Sequence, residues 1–240
     1  MSTMGMTEHR AAASARRWAR LAGLLYLIGA VTGVFGILYG PSLVVPGDAE
    51  ATASRILAAQ SFFRLSIVSA LLDQVIFIFV VLALYHLLKV VNRTAAVMMV
   101  IFLLLGVPIA ALNELSNGGV LILLNGGNSL KVFTAGQVHA VVLMLLDLHA
   151  LGLTIFNLVG APWFFAMGYL VFRSRFLPRI LGVLLVVNGL AYLITSLAGL
   201  LRPDLNLNLV MLTGWVEVVF ALWLLIRGIN MVRWEDVVDR

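Results

Sequence analysis

The sequence predicts an all-α membrane protein, a polytopic bundle of about six transmembrane helices with one further interfacial or re-entrant helix. The first observation is composition, because 62% of the 240 residues are hydrophobic and 11% are charged, whereas globular domains carry about 25% charged residues. The second is a series of apolar runs of about 20 residues, the length that crosses a bilayer. The third is that basic residues gather in the turns between these runs. In lipid, a helix satisfies the whole backbone of such a run within one segment.

The first apolar run extends over residues 21–40 and follows a polar tail over residues 1–20. The tail ends in a basic flank, which consists of Arg10, Arg16, Arg17 and Arg20. This pattern also fits a signal peptide cleaved near Ala51-Thr52-Ala53. However, the apolar run is longer than the apolar region of a signal peptide, so we expect an uncleaved span. Small residues recur on it at helical spacing, so we expect a helix-packing face, with a dimer face as the alternative. They are Gly29, Gly33, Gly36 and Gly40.

A short amphipathic helix is predicted after the first span. Asp48 is a suitable cap for a helix over residues 49–63, whose mixed apolar and basic character favours the outer membrane interface. The second span follows over residues 65–88. Asp73 and Gln74 interrupt it about eight residues from its outer end.

The third span is predicted over residues 95–112, with a kink at Pro108. Residues 113–131 are rich in Asn and Gly, which is typical of loops. We therefore expect an irregular external connection there and interpret Glu114 as a loop residue.

Residues 132–175 form an apolar stretch that is too long for one simple span. About 40 helical residues extend about 60 Å, twice the thickness of the hydrocarbon core. Three arrangements stay open: a helix at the membrane joined to a span, two helices that turn near residues 149–152, or one long projecting helix. We expect one crossing over 154–172 and a helix over 133–152 at or within the outer half of the bundle.

The last two spans are predicted over residues 180–201 and 209–226, followed by a charged tail over 229–240. Residues 21–228 thus form a single transmembrane domain. With both termini and the turns at 89–93 and 173–179 in the cytoplasm, 12 of the 16 Lys and Arg residues lie inside. Only four fall outside, namely Arg55, Arg64, Lys131 and Arg202. This bias follows the positive-inside rule and predicts a multi-pass membrane protein with both termini in the cytoplasm.

Several stretches of the chain form a recognisable pattern. They are Leu43-Val-Val-Pro-Gly-Asp48 with Ala51-Thr52 and Ile56-Leu57-Ala58, Leu87-Leu88-Lys89 with Asn92-Arg93, Leu146-Asp147-Leu148-His149, Phe176-Leu-Pro-Arg-Ile-Leu-Gly182, and Glu217 with Ala221-Leu-Trp-Leu-Leu-Ile-Arg-Gly228. These stretches resemble bacterial membrane proteins grouped as domain of unknown function 4386. Together they cover most of the chain from Leu21 to Asn230, and Val90 stands where the family pattern has proline. The resemblance implies a six-span protein of the bacterial inner membrane and carries over no catalytic residue.

Ionisable side chains inside the spans are the candidate proton- or ligand-binding groups, because each costs about 2.5–3.5 kcal/mol to insert. They are Asp73, Asp147, His149 and Glu217. We expect Asp73 and Glu217 at similar depth in the outer half, where each also fits simple pairing between helices. Asp147 and His149 point about 200° apart on a regular helix, so they share a site only if the helix breaks. Secondary candidates are Gln74, Asn113, His139 and Asn157.

Three functions fit these residues. We favour a binding or transport module for a small or lipidic ligand. The second is an accessory subunit that packs on a membrane-protein partner, or on a second copy, through the glycines of the first span. The third is a membrane-embedded metal-dependent enzyme, since the four primary candidates could supply about three metal ligands. The sequence identifies no metal, haem or other cofactor. Membrane lipid is the expected environment, and scattered basic residues predict no nucleic-acid partner.

Overall fold

The helices of a computed structural model account for most of the chain, which is described over residues 3–126 and 132–238, with side chains from residue 14 onward. No strand occurs in these ranges, so the predicted all-α class is confirmed. The helices are α1 (Thr3–Ser42), α2 (Ala49–Ala58), α3 (Gln60–Leu88), α4 (Arg93–Asn125), α5 (Ala135–Gly160), α6 (Pro162–Ser174), α7 (Arg179–Leu201), α8 (Val210–Thr213), α9 (Trp215–Ile226) and α10 (Met231–Val238). A 3-10 turn at Pro203–Leu205 follows α7.

Five described segments are long and apolar enough to cross a membrane. They are Ser14–Ser42, Gln60–Leu88, Arg93–Asn125, Ala135–Ser174 and Arg179–Leu201. A sixth is counted if Val210–Ile226 and Met231–Val238 form one broken span, although these two pieces are bent by 92°. The protein is therefore a multi-span helical membrane protein.

The expected loop over residues 113–131 is wrong for its first part, because α4 continues to Asn125. The polar residues that suggested a loop bond to groups on the same helix. Asn117 donates to the Glu114 carboxylate three residues earlier, at 2.9 Å, and the Asn125 amide donates to the Leu121 carbonyl at 2.6 Å. Side chains that find partners within the helix no longer compete with its backbone. Residues 127–131 lie outside the described residues.

The expected division into a helix over 133–152 and a span over 154–172 is wrong, because α5 is continuous from Ala135 to Gly160. The turn near residues 149–152, one of the three arrangements left open, therefore does not form. The chain breaks instead at Ala161, and Pro162 occupies the first turn of α6, where a missing N–H costs little. Gly152 therefore does not end a helix. Together α5 and α6 count as one 40-residue candidate span, and its placement in the membrane stays a prediction.

The predicted helix after the first span ends earlier than expected. The Asp48 carboxylate accepts a hydrogen bond from Ala51 N at 2.8 Å and caps α2 as predicted. However, α2 stops at Ala58, and α3 begins at Gln60 after a one-residue interruption. The interface position of α2 stays a prediction.

The chain divides into two compact units, and several helices contribute residues to both. The first unit contains Met1–Ile28, Ile76–Gly106 and Asn157–Arg240, and the second contains Gly29–Val75 and Val107–Phe156. The largest fully buried side chains of the first unit are Tyr26, Phe220, Leu84, Leu87, Leu88, Met99, Met167, Leu170, Leu185 and Leu224. The smaller core of the second unit consists of Ile56, Phe63, Val120, Leu121 and Val142.

Helices α6 and α7 of the first unit pack closely through glycines. A Cβ atom at Gly182 would lie 2.6 Å from the Phe172 backbone nitrogen and 2.7 Å from the Gly168 carbonyl oxygen. A Cβ atom at Gly168 would likewise lie 2.8 Å from the Gly182 oxygen. Because the obstacles are backbone atoms, no side-chain rotation relieves them.

We therefore expect Gly182→Ala to lower the melting temperature of the detergent-solubilised protein. Overpacking of this kind costs about 1–3 kcal/mol. Gly160→Ala is the matched control, because a Cβ there meets no atom within 4 Å. Equal melting temperatures for the two variants would contradict the close α6–α7 contact.

Candidate functional site

Glu217 lies at the centre of a polar cluster in the first unit. The Tyr26 hydroxyl donates to Oε2 of Glu217 at 2.7 Å. Oε1 accepts from the Asn188 amide at 3.1 Å and from the Tyr192 hydroxyl at 3.1 Å. We call these four residues the Glu217 cluster. Its donors come from two helices, since Tyr26 is on α1 and the other two lie four residues apart on one face of α7.

The surroundings of the Glu217 cluster are apolar and aromatic. The Tyr26 ring is stacked at 6.2 Å from Trp163 and meets Phe77 and Phe220 edge-on at 5.1 and 6.3 Å. Tyr26 and Asn188 are fully buried. In such a low-dielectric environment, hydrogen bonds to a carboxylate are strong and an unpaired polar atom is costly.

Asn188 leaves one such atom unpaired. Its Oδ1 is buried and has no hydrogen-bond partner in the part of the chain that the structure describes. The oxygen and nitrogen of an amide are assigned from the surrounding hydrogen bonds. Rotated by 180°, the same amide would present Oδ1 to the carboxyl group, which suits a protonated Glu217 that donates. The cluster can therefore accommodate either protonation state of Glu217 with one side-chain rotation.

A second buried cluster lies in the second unit, where His149 on α5 meets Glu114 on α4. Nε2 of His149 is 3.0 Å from Oε1 of Glu114, and both side chains are less than one-tenth exposed. The second carboxylate oxygen accepts from the Asn117 amide at 2.9 Å. The Asn113 amide donates to the His149 carbonyl at 2.9 Å. We call these four residues the Glu114–His149 cluster.

Gly152 makes room for this arrangement. A Cβ atom at residue 152 would collide with the Asn113 side-chain amide. A carbonyl in the middle of a helix already accepts a hydrogen bond from a backbone N–H in the next turn. A second donor, here the Asn113 amide, must therefore come close to the helix from a neighbouring element. The glycine permits that approach, and the Asn113 amide thereby links α4 to α5.

Asp73 is buried in the second unit beside the glycines of α1. The Gln74 amide donates to its carboxylate at 3.2 Å, and a Cβ atom at Gly33 would lie 3.1 Å from the Asp73 carboxylate. One turn further, a Cβ at Gly36 would lie 2.8 Å from the Ala70 backbone nitrogen. Gly40 approaches the Phe63 ring, and Gly29 is buried. Gly33, Gly36 and Gly40 thus face α3 of the same chain.

The structure brings together only part of the residue set expected from the sequence. His149 and Asn113 share a cluster, whereas Asp147 is exposed, on a different face of α5 from the buried His149. His139 and Asn157 are partly buried. The side chains of Asp147, His139 and Asn157 form no hydrogen bond within residues 3–126 and 132–238. Glu217 belongs to the first unit and the other three primary candidates to the second.

The sequence reasoning missed the main partners of both acids. Glu114 and Asn117 were assigned to a loop, although their spacing of three residues suits one face of a helix. Asn188 and Tyr192 were not singled out, although two polar side chains four apart in an apolar run are the pattern that indicates a buried polar contact. Tyr26 carried no comparable signal.

No group of three or more His, Cys, Asp or Glu side chains that could hold a metal ion occurs in the described residues. Each cluster instead contains one carboxylate, which contacts amide and hydroxyl groups in the Glu217 cluster and an amide and an imidazole in the Glu114–His149 cluster. Such arrangements suit the binding or release of a proton or a polar organic group.

Comparison with known proteins gives a family and a short match to one relative. The family model described as "Domain of unknown function (DUF4386)" matches residues 21–228. An uncharacterized protein of Archaeoglobus fulgidus is 36% identical over 64 residues, which cover 27% of this chain and 38% of that protein. The match therefore spans well under half of the relative. No solved structure matches the chain significantly.

A double-mutant cycle tests the buried contact between Glu114 and His149. We expect Glu114→Leu and His149→Leu each to destabilise the protein by about 3–5 kcal/mol, because each leaves the other ionisable side chain buried without its partner on the neighbouring helix. The loss of unfolding free energy in the double variant should be much smaller than the sum of the losses in the two single variants. The measurement is reversible unfolding in detergent micelles.

The exposed pair Arg202 and Asp204 supplies the control cycle. Their atoms are 3.4 Å apart, but the side chains are 68% and 66% exposed, so the coupling energy should be about 0–1 kcal/mol. A coupling energy for Glu114 and His149 as small as this would show that the two side chains do not interact.

Proposed function

The protein belongs to the domain of unknown function 4386 family, and we propose that it is a membrane-embedded binding or transport module for a small or lipidic ligand. In this proposal its buried ionisable side chains exchange protons or hold a polar group of the ligand. The Glu114–His149 cluster and the Glu217 cluster are the two sites of this chemistry.

The buried contact between Glu114 and His149 carries the proposal. Two neutral amides would join α4 and α5 at lower cost, since ionisable groups in a bilayer are expensive and are used mostly in proton relays and substrate pathways. A carboxylate and an imidazole 3.0 Å apart can pass one proton between them. Histidine is also the side chain whose charge changes most readily near neutral pH.

The Glu217 cluster supports the same function by a different route. Three neutral donors surround the carboxylate, so no cation of the cluster compensates its charge. The unpaired Oδ1 of Asn188 gives the cluster a partner for a proton on Glu217. A cluster with a purely structural role would not need this additional hydrogen-bond acceptor.

The proposal includes an orientation in the membrane. We infer that the protein resides in a bacterial inner membrane with both termini and the turns at 89–93 and 173–179 in the cytoplasm. The distribution of Lys and Arg supports this orientation.

Difference infrared spectroscopy tests whether the two acids exchange protons. On a pH change within about pH 4 to 9, the range in which carboxyl and imidazole groups titrate, we expect carboxyl C=O stretching bands from buried acids in the purified protein. Glu114→Gln should remove one band and Glu217→Gln another. The isosteric substitutions keep the hydrogen-bonding geometry, so the melting temperature should change little.

Neighbouring side chains provide matched controls for the assignment. Asn117→Leu should shift the band of Glu114 and leave that of Glu217 in place, and Tyr192→Phe should do the reverse. A purely structural role would keep both acids in one protonation state across the range. Spectra without either band would therefore contradict the proposal.

Cysteine labelling tests the orientation, because the natural chain contains no cysteine. Thr94→Cys lies at the start of α4 and Leu205→Cys in the turn after α7, and both positions are exposed. A membrane-impermeant maleimide added to intact cells should modify the cysteine at 205 and reach the one at 94 only after lysis. The reverse pattern would contradict the inferred orientation.

A further inference from the structure

A basic cleft of about 640 Å³ lies in the first unit, where the turn between α6 and α7 meets α10. We call it the arginine cleft. It is lined by Arg175, Leu177, Pro178, Arg179, Arg233, Asp236 and Val237. Its three arginines and one aspartate give a net charge of +2. None of these residues belongs to the Glu217 cluster.

No described residue forms an ion pair with an arginine of the cleft. Within the described residues, the ion pairs are those of Glu114 with His149 and of Arg202 with Asp204, so Asp236 pairs with none of the three guanidinium groups. All three side chains are exposed. Like charges that converge on one cleft repel each other, and an anion bound between them would remove that repulsion.

Two contacts hold the arginines in position. Nη1 of Arg233 donates to the carbonyl oxygen of Arg175 at 3.4 Å, and the Arg179 guanidinium lies over the Phe172 ring at 5.6 Å. The Arg175 backbone is left-handed, with φ of 62°, which ends α6 and turns the chain towards α7. The cleft is therefore a folded feature with preset donors.

The backbone of α7 adds further donors to the arginine cleft. Pro178 is the N-cap residue of this 23-residue helix, and no side chain caps its first turn. The Leu181 N–H bonds to the Pro178 carbonyl at 3.1 Å, whereas the N–H groups of Arg179 and Ile180, together with the helix dipole, favour an anion at this end. Guanidinium groups with backbone N–H groups are the usual set of ligands for phosphate oxygens.

The position of the cleft points to the membrane surface. The candidate span Ala135–Ser174 ends and the candidate span Arg179–Leu201 begins on either side of a four-residue turn, so this turn lies at the level of the lipid headgroups. Helix α10 is bent by 92° from the helix before it. It buries Trp234 while Val232 stays 70% exposed, as expected for a helix that lies along a membrane surface.

We propose that the arginine cleft binds a phosphate group at the membrane surface, with Arg175, Arg179 and Arg233 as its ligands. The headgroup of an anionic phospholipid is the source that this position favours, and a soluble phosphate ester shares the same chemistry. This proposal rests on none of the residues that carry the proposed function, so either can fail without the other.

Native mass spectrometry of the full-length protein in a neutral detergent tests the proposal. The probes are phosphatidylglycerol, the zwitterionic lipid phosphatidylcholine, glycerol 3-phosphate and inorganic phosphate. We expect phosphatidylglycerol to bind in preference to phosphatidylcholine. Arg175→Asn and Arg233→Gln should each lower its affinity about fivefold, the usual contribution of one arginine near an anionic surface. Asparagine suits residue 175 because it tolerates a left-handed backbone.

Charge-matched variants separate the cleft from a general effect of charge. Asp236→Asn should raise the affinity for phosphatidylglycerol about fivefold. Asp204→Asn and Arg202→Gln make the same charge changes in an exposed pair after α7, and they should leave this affinity unchanged. All of these positions are exposed, and an unchanged melting temperature verifies the fold of each variant.

The probes also distinguish the two sources of phosphate. Binding of glycerol 3-phosphate or inorganic phosphate with the same dependence on Arg175 and Arg233, and without binding of the lipid, would support the phosphate site and assign it to a soluble ligand. If no phosphate probe binds, or if both arginine variants bind as tightly as the natural protein, the proposal is wrong.

Discussion

The requirement that every polar group in a bilayer find its partner within the protein governs this structure. Water is absent from the hydrocarbon core, and each unsatisfied group there costs several kcal/mol. Both clusters satisfy their central acid by surrounding it with polar groups from more than one helix. Glu114 contacts Asn117 on its own helix and His149 on another, and Glu217 receives three donors from α1 and α7. Polar contacts thus hold the helices together where apolar side chains gain little, because lipid is equally apolar.

The glycines follow from the same requirement. Side-chain hydrogen bonds between helices are short, so the helix axes must approach closely at these points. Gly152 admits the Asn113 amide to the carbonyl of His149, and Gly33 admits the Asp73 carboxylate to α1. A larger residue at Gly152 would move the Asn113 amide away from the His149 carbonyl, and one at Gly33 would displace the Asp73 carboxylate. The small residues on these faces therefore determine which polar contacts form within one chain.

The fold class was predictable because a helix that spans the membrane must be apolar over about 20 residues. The hydrogen-bond partners of the acids were not predictable in this way. The apolar runs located the helices, but an excess of Asn and Gly over residues 113–125 resembled a loop until their side chains were seen to bond along α4. Periodicity did separate Asp147 from His149, and it placed them on different faces as observed. It could not reveal that His149 meets Glu114, 35 residues away, because a contact between helices depends on their packing angle and depth.

The two clusters differ in how a proton changes their charge. In the Glu114–His149 cluster an acid faces a base, so a proton that moves between them alters the dipole and leaves the net charge unchanged. In the Glu217 cluster the acid faces only neutral donors, and each proton gained or lost changes the net charge by one. A charge in a low-dielectric environment interacts strongly with any other charge nearby. The Glu217 cluster is consequently the one that a charged ligand or the membrane potential would influence most.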